Sequence, residues 1–153
     1  TLSLQSPINK FVAGFIGTPP MNFFKVKIEA NGDKVVANEG TFKLVPTENQ
    51  QKHLKAYVGK EVWFGVRPED LDYHDSPAAE NNMAVKVTNK EPLGAETHVF
   101  VQIQNTKVVA KCHPSVNPKL GDTVNFVPRM EKCKFFDLDT EINICEPEIE
   151  KTW

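Results

Sequence analysis

The sequence predicts a mainly β chain: an antiparallel β-barrel, closed or nearly closed, with one or two short helices. Three observations predict it. Short runs of valine, phenylalanine and isoleucine alternate with charged residues at a period of two. Turn formers such as Asn31-Gly32 and Gly121-Asp122 punctuate these runs at roughly 8–12-residue spacing. An open sheet this rich in valine would also expose edges that pair with other chains, and closure removes them. At 153 residues one domain is expected, burying roughly 68–70% of its unfolded surface.

The elements follow in order. Ser6 is a good N-cap and Pro7 suits the first helical position. Phe11, Val12, Phe15 and Ile16 then recur at helical spacing, Gly17 is a natural stop, and Thr18-Pro19-Pro20 cannot continue a helix. Residues 1–22 thus read as a linker helix and a proline turn, and 23–153 as the β domain. Phe24, Val26 and Ile28 alternate with Lys25, Lys27 and Glu29, a half-buried strand. Asn31-Gly32 makes the hairpin turn, because both residues tolerate positive φ. Lys34 to Ala37 returns, Glu39-Gly40 turns again, and Phe42 with Leu44 marks a third strand. Thr47 and Gln50 form a capping-box pair opening a short helix that ends at Gly59. Val62, Phe64 and Val66 give a strand running into Pro68. Leu71 to Asn82 reads as a loop, with 72–82 the candidate joint between two lobes. Met83 to Val87, Val99 to Ile103, Val108 to Cys112 and Val124 to Val127 are further strands, and Phe135-Phe136 and Ile142 to Cys145 finish the sheet. Glu146 to Lys151 is a charged tail.

Composition narrows the chemistry. The chain is 40% hydrophobic and 25% charged, ordinary for a globular domain. A net charge of −2 offers no basic field for nucleic acid or an anionic membrane. No apolar run approaches the roughly 20 residues of a membrane span, and nothing at Thr1 resembles a signal peptide. Cys112, Cys133 and Cys145 lack a C-x-x-C pair and read as buried thiols in a reducing cytoplasm. Cys112-His113 with the other two cysteines fits no zinc module. Asp137, Asp139, Glu141 and Glu148 mimic calcium-loop positions, but Ile142 sits where such a loop needs glycine. Gly59-Lys60 lacks the upstream glycine of a phosphate-binding loop. His74-Asp75-Ser76 is loop polarity, because triad members come from separate elements. His53 and His98 read as exposed, isolated positions. No catalytic residue and no metal ligand is expected.

Five stretches also resemble one family in the right order: Phe11–Phe24 (FVAGFIGTPPMNFF), Phe64–Asp70 (FGVRPED), Glu91–Thr97 (EPLGAET), Leu120–Val124 (LGDTV) and Cys133–Asp137 (CKFFD). They resemble the C-terminal regulatory domain of ATP-binding subunits of carbohydrate-type ABC importers, the maltose/glycerol-phosphate subfamily. Residues 1–7 depart from that family, since only Thr1 and Ser6-Pro7 echo its usual Gly-Thr-Pro. The resemblance implies an OB-like/TOBE barrel facing the cytoplasm, peripheral to the inner membrane. It would contact its own ATPase domain, a second copy of the subunit, through the complex a membrane permease, and a regulatory protein or ligand. ATP and magnesium would belong to the ATPase domain, whose Walker and signature motifs this sequence lacks.

On that resemblance Phe11, Phe15 and Ile16 would dock against the ATPase domain or the barrel's flank. Arg67, Glu69 and Asp70 have two readings: a strand-end ion clamp, or a corner of the contact between two regulatory domains. Gly94 and Glu96 have two as well: turn geometry, or a surface read by a partner. The resemblance thus implies a regulatory and dimerisation domain that hydrolyses nothing by itself. The alternative is a small-ligand or oxyanion-binding barrel, since related domains of molybdate importers bind such anions. An OB-type nucleic-acid binder needs a basic groove lined with stacking aromatics, and here the basic residues are dispersed among carboxylates.

Overall fold

The computed structural model describes Asn9, Lys10 and residues 20–145. Its strands are β1 (Asn22–Asn31), β2 (Lys34–Asn38), β3 (Lys43–Leu44), β4 (Glu61–Val66), β5 (Leu71–His74), β6 (Met83–Pro92), β7 (Thr97–Ile103), β8 (Thr106–Cys112), β9 (Thr123–Pro128) and β10 (Lys134–Asp137). They form two five-stranded antiparallel sheets, ordered β10-β4-β1-β2-β3 and β5-β9-β6-β7-β8. The α-helix whose full extent lies among the described residues, α1 (Glu48–Leu54), lies between β3 and β4.

Alternation drives the strands. Along β1, Phe24, Val26 and Ile28 are buried while Lys25 and Lys27 are exposed. Phe64 of β4 pairs with Phe24 on one side and Phe135 of β10 on the other. The three rings form a buried row, with centroids 5.1 and 5.3 Å apart, and Phe42 closes on Phe24 at 5.8 Å. Burial of each ring contributes about 1.5–3 kcal/mol, and each edge-on pair adds about 0.5–1.5 kcal/mol. Gly65 faces the other way, where a Cβ would stand 2.7 Å from the Met21 sulfur and 3.1 Å from the Phe23 and Phe136 rings. Phe23 and Trp63 share that outer face. The Lys10 ammonium stands 4.8 and 4.3 Å from their ring centres.

Amide side chains close what the ladders leave open. Asn22 donates to the Val66 carbonyl (3.1 Å) and the Val109 carbonyl (2.9 Å), and its oxygen accepts from the Val109 N–H (3.0 Å). It thereby imitates a strand residue along the edge of β8 and joins the two sheets. Gln51 treats β2 the same way, accepting from Val35 N–H (2.7 Å) and donating to Val35 and Pro46 carbonyls. Its neighbour Gln50 donates to the carbonyls of Met130 and Cys133, just ahead of β10. Helix α1 therefore ties together both ends of the first sheet. Gln104, in the β7–β8 turn at φ +58°, exchanges two bonds with the Lys25 backbone. No buried side-chain nitrogen or oxygen among the described residues lacks a partner.

The structure departs from the sequence expectations in four places. Leu71–His74, expected in a loop, is a strand paired with β9, His74 opposite Asn125; only four residues long, it shows no alternation to read. The loop there is residues 75–82. Strand β6 runs on to Pro92 past an irregularity between Val87 and Asn89 that resets its register, so the apolar pattern stops before the strand does. Ile142 and Asn143 make only isolated bridges, to Asn9 and Phe136, because positive φ at Glu141 breaks the line. Within the helix expected from Pro7, Asn9 instead pairs with Ile142 while Lys10 is helical, and the rest of that stretch lies outside the described residues. Phe11, Phe15 and Ile16 lie outside the described residues. The capping box of α1 is present as expected, Thr47 accepting from Gln50 N–H and Gln50 returning the bond.

Candidate functional site

The corner after β4 is built from the chain direction upward. Val66 is buried, Pro68 fixes the exit, and Pro68–Asp70 forms a single 3₁₀ turn held by Asp70 N–H donating to Arg67 C=O (2.9 Å). That turn swings the Asp70 carboxylate back onto the Arg67 guanidinium, Nε to Oδ2 2.7 Å. Asp70 is 2% exposed. Glu69 lies farther out, 3.6 Å from the same guanidinium, with its side chain 45% exposed. The hydrogen bond to Asp70 raises the Arg67 pKa, against the opposing effect of burial, so Arg67 is charged at all working pH. Next to it, Arg129 N–H donates to Asp70 C=O (2.8 Å), and the Arg129 guanidinium embraces Asp72 at 2.9–3.1 Å. Two charge pairs of alternating sign thus sit side by side where β4 hands over to β5 and β9. The Arg67–Asp70 pair is an internal clamp by geometry. Glu69, Asp72, Arg129 and the outer part of Arg67 present charge to solvent, while Asp70 does not.

Gly94 and Glu96 occupy the β6–β7 turn. Gly94 has φ +85°, a conformation that asks for glycine. Leu93 N–H donates to Glu96 C=O (2.8 Å) and fixes the turn, leaving the Leu93 side chain 54% exposed at its tip. The Glu96 carboxylate bonds His98 on the next strand face, so His98 is paired and half-buried instead of isolated. The Arg67 corner and the Gly94 turn are separate features, one after β4 and the other between β6 and β7.

Elsewhere Tyr57 donates to Asp137 Oδ2 at 2.9 Å. Burial, then this carboxylate, pushes the phenol up to about 12. Asp137 is held below the usual carboxylate range, first by the Thr140 N–H and further by Tyr57 and the Asp139 N–H. Burial pushes the Cys112 thiol up to about 11 and Cys133 well above its ordinary value; both behave as neutral apolar groups. The residues that sequence reasoning missed are the amides Asn22, Gln51 and Gln104. Their only sequence signal is a polar residue inside or beside an apolar strand.

Two curled antiparallel sheets with a single helix between the third and fourth strands define a mainly β module of the OB/TOBE type. Residues 17–71 match the family model of the MalK OB fold domain, and residues 64–136 match that of the TOBE domain. Together the two matches span residues 17–136, so the chain belongs to the family of MalK-type OB fold and TOBE domains, and the relatives it matches are sugar ABC-importer ATP-binding proteins. It is 37% identical over 147 residues to the oligosaccharides import ATP-binding protein MsmX of Bacillus subtilis, covering 92% of this chain. It is 36% identical over 142 residues to the trehalose/maltose import ATP-binding protein MalK of Thermococcus litoralis, covering 89%. The multiple sugar-binding transport ATP-binding protein MsmK of Streptococcus mutans is 34% identical over 143 residues. The chain spans 39% of the length of MsmX and 37% of the other two. Among solved structures, the cytoplasmic molybdate-binding protein ModG superposes with a TM-score of 0.55, over 76% of this chain and 95% of its own, at 16% identity. That likeness is one of fold and brings no ligand to this chain.

Proposed function

We propose that this chain is the regulatory and dimerisation module of the ATP-binding subunit of an ABC importer for a sugar or glycerol phosphate, and that it hydrolyses nothing itself. The observation that carries this reading is the match to three sugar-importer ATP-binding proteins across 89–92% of the chain, together with the two domain matches. The structure supports it with a scaffold tied rigidly by hydrogen bonds, every buried side-chain nitrogen and oxygen among the described residues having a partner. A contact module needs such rigidity, because preorganised surfaces lose less entropy on docking. In this reading ATP and magnesium belong to the ATPase domain of the subunit. The partners are that domain, a second subunit, the membrane permease and a regulatory protein, and the complex works at the cytoplasmic face of the inner membrane. No helix among the described residues is long and apolar enough to cross a membrane.

The exposed Glu69, Asp72 and Arg129, Leu93 at the Gly94 turn, and Phe11, Phe15 and Ile16 are the contact residues in this proposal. Sedimentation over a concentration series tests the dimer: self-association that Arg129→Glu weakens is expected, and a monomer at every concentration refutes dimerisation. Incubation with ATP and magnesium tests the rest. Steady turnover above buffer would overturn the non-catalytic reading.

A further inference from the structure

A groove of about 450 Å³ opens between the end of β5, the start of β9 and the loop 115–118. Its walls are set before any ligand arrives. Tyr73 is fixed edge-on to Phe126, centroids 5.7 Å apart. The loop is held by the Lys90 ammonium, which donates to the Asn117 side-chain oxygen and to Pro118 C=O. Asp122 accepts from Lys119 N–H at 2.9 Å through Oδ2.

The hydrogen-bonding capacity left over is unusual in kind. Asn117 spends its oxygen on Lys90, and Asn125 spends its oxygen on Asn82. Each therefore keeps an unpartnered NH₂ donor, with one lone pair of its oxygen also left. The Tyr73 and Thr123 hydroxyls and the Asp75 carboxylate make no hydrogen bond among the described residues, and Asp122 keeps one oxygen free. Burial and the nearby Asp75 charge keep the Tyr73 phenol protonated, hence a donor. Lysine and arginine are absent from the lining; the His74 imidazole and two carboxylates are part of it.

This set discriminates between ligand classes. An anion brings acceptors only and would face two carboxylates with no lysine or arginine opposite. A polyamine brings donors only and would face two amide NH₂ groups. A sugar hydroxyl both donates and accepts, so vicinal hydroxyls can use carboxylate and amide together, and the half-buried Val116 offers apolar surface to the C–H face of a ring. We propose that this groove binds a neutral saccharide. Binding is a property of this chain alone and does not depend on the importer reading, so the two can fail separately.

Calorimetry and amide chemical-shift mapping on the purified chain test it, with maltose, trehalose, molybdate and spermidine as probes. A Kd tighter than about 10 mM is expected for maltose or trehalose, with shifts confined to residues 73–75, 115–118 and 122–125. Asp75→Ala should weaken binding at least about tenfold, as should Asn117→Asp, which replaces a donor by an acceptor. Asp139→Ala, in a different loop, should leave it unchanged, and circular dichroism confirms that each variant is folded. Silence from both sugars, tighter binding of molybdate or spermidine, or shifts mapping elsewhere would overturn the proposal.

Discussion

Asn22 is the strongest single test of how the two sheets are held. It makes three hydrogen bonds, to the Val66 carbonyl and to both backbone groups of Val109, and it is 7% exposed. Neutral bonds contribute about 0.5–1.5 kcal/mol each, and a buried group stranded by truncation costs about 1–3 kcal/mol. Val66 C=O is fully buried and the Val109 groups partly so, so Asn22→Ala should cost about 3 kcal/mol. Asn22→Asp is the sharper variant, because it is nearly isosteric. It keeps the acceptor for Val109 N–H but aims a carboxylate oxygen at two carbonyls. It should therefore be less stable than Asn22→Ala at neutral pH, by about 1 kcal/mol or more. The folded state would raise that new carboxyl's pKa. Its penalty should accordingly fade as pH drops towards about 4, where the protonated acid can donate to one carbonyl. Urea unfolding with an unchanged m-value measures the losses, and hydrogen exchange at the Val109 amide reports the edge of β8 directly. A loss below about 1 kcal/mol for Asn22→Ala, or the aspartate variant proving the more stable of the two, would refute the reasoning.

Asp70→Ala should cost about 1.5–3 kcal/mol, as expected for a hydrogen bond to a charged group, while Glu69→Ala should stay within about 0.5 kcal/mol because the pair is exposed and loose; urea midpoints compare them. Gly65→Ala should cost about 1–3 kcal/mol by overpacking. Met21→Ala should recover part of that in a double-mutant cycle, since the Met21 sulfur is the nearest obstacle to the new Cβ. On the alkaline side, burial holds the Cys112 thiol near 11. Stability should therefore be flat below about pH 8.5 and fall as pH rises towards 11, a decline that Cys112→Ala should flatten. On the acid side Asp137 has a lowered pKa, so its contribution is present above about pH 4 and lost as pH falls through the folded value. Asp137→Asn should flatten that limb and let Tyr57 ionise below its present value of about 12, read by phenolate absorbance.

The sequence by itself determined what depends on local pattern. Alternation placed the cores of β1, β4 and β7 to β9, since a period of two is set by the pleat and needs no knowledge of the partner strand. Thr47 and Gln50 announced helix α1, because a capping box is closed within four residues. Arg67 and Asp70 were legible as a pair for the same reason, their contact spanning one turn. Only the tertiary structure decided which distant groups meet. Asn22 reaches Val109 across 87 residues and Gln50 reaches Cys133 across 83, and no local spacing encodes such contacts. Strand β5 exists because β9 supplies its partner. In the groove, Lys90 and Asn82 occupy the oxygens of Asn117 and Asn125 from 27 and 43 residues away and so set part of what remains for a ligand. A side chain's remaining capacity is a property of the folded neighbourhood. Residue type fixes the chemistry available, and the long-range packing fixes how much of it is left to use.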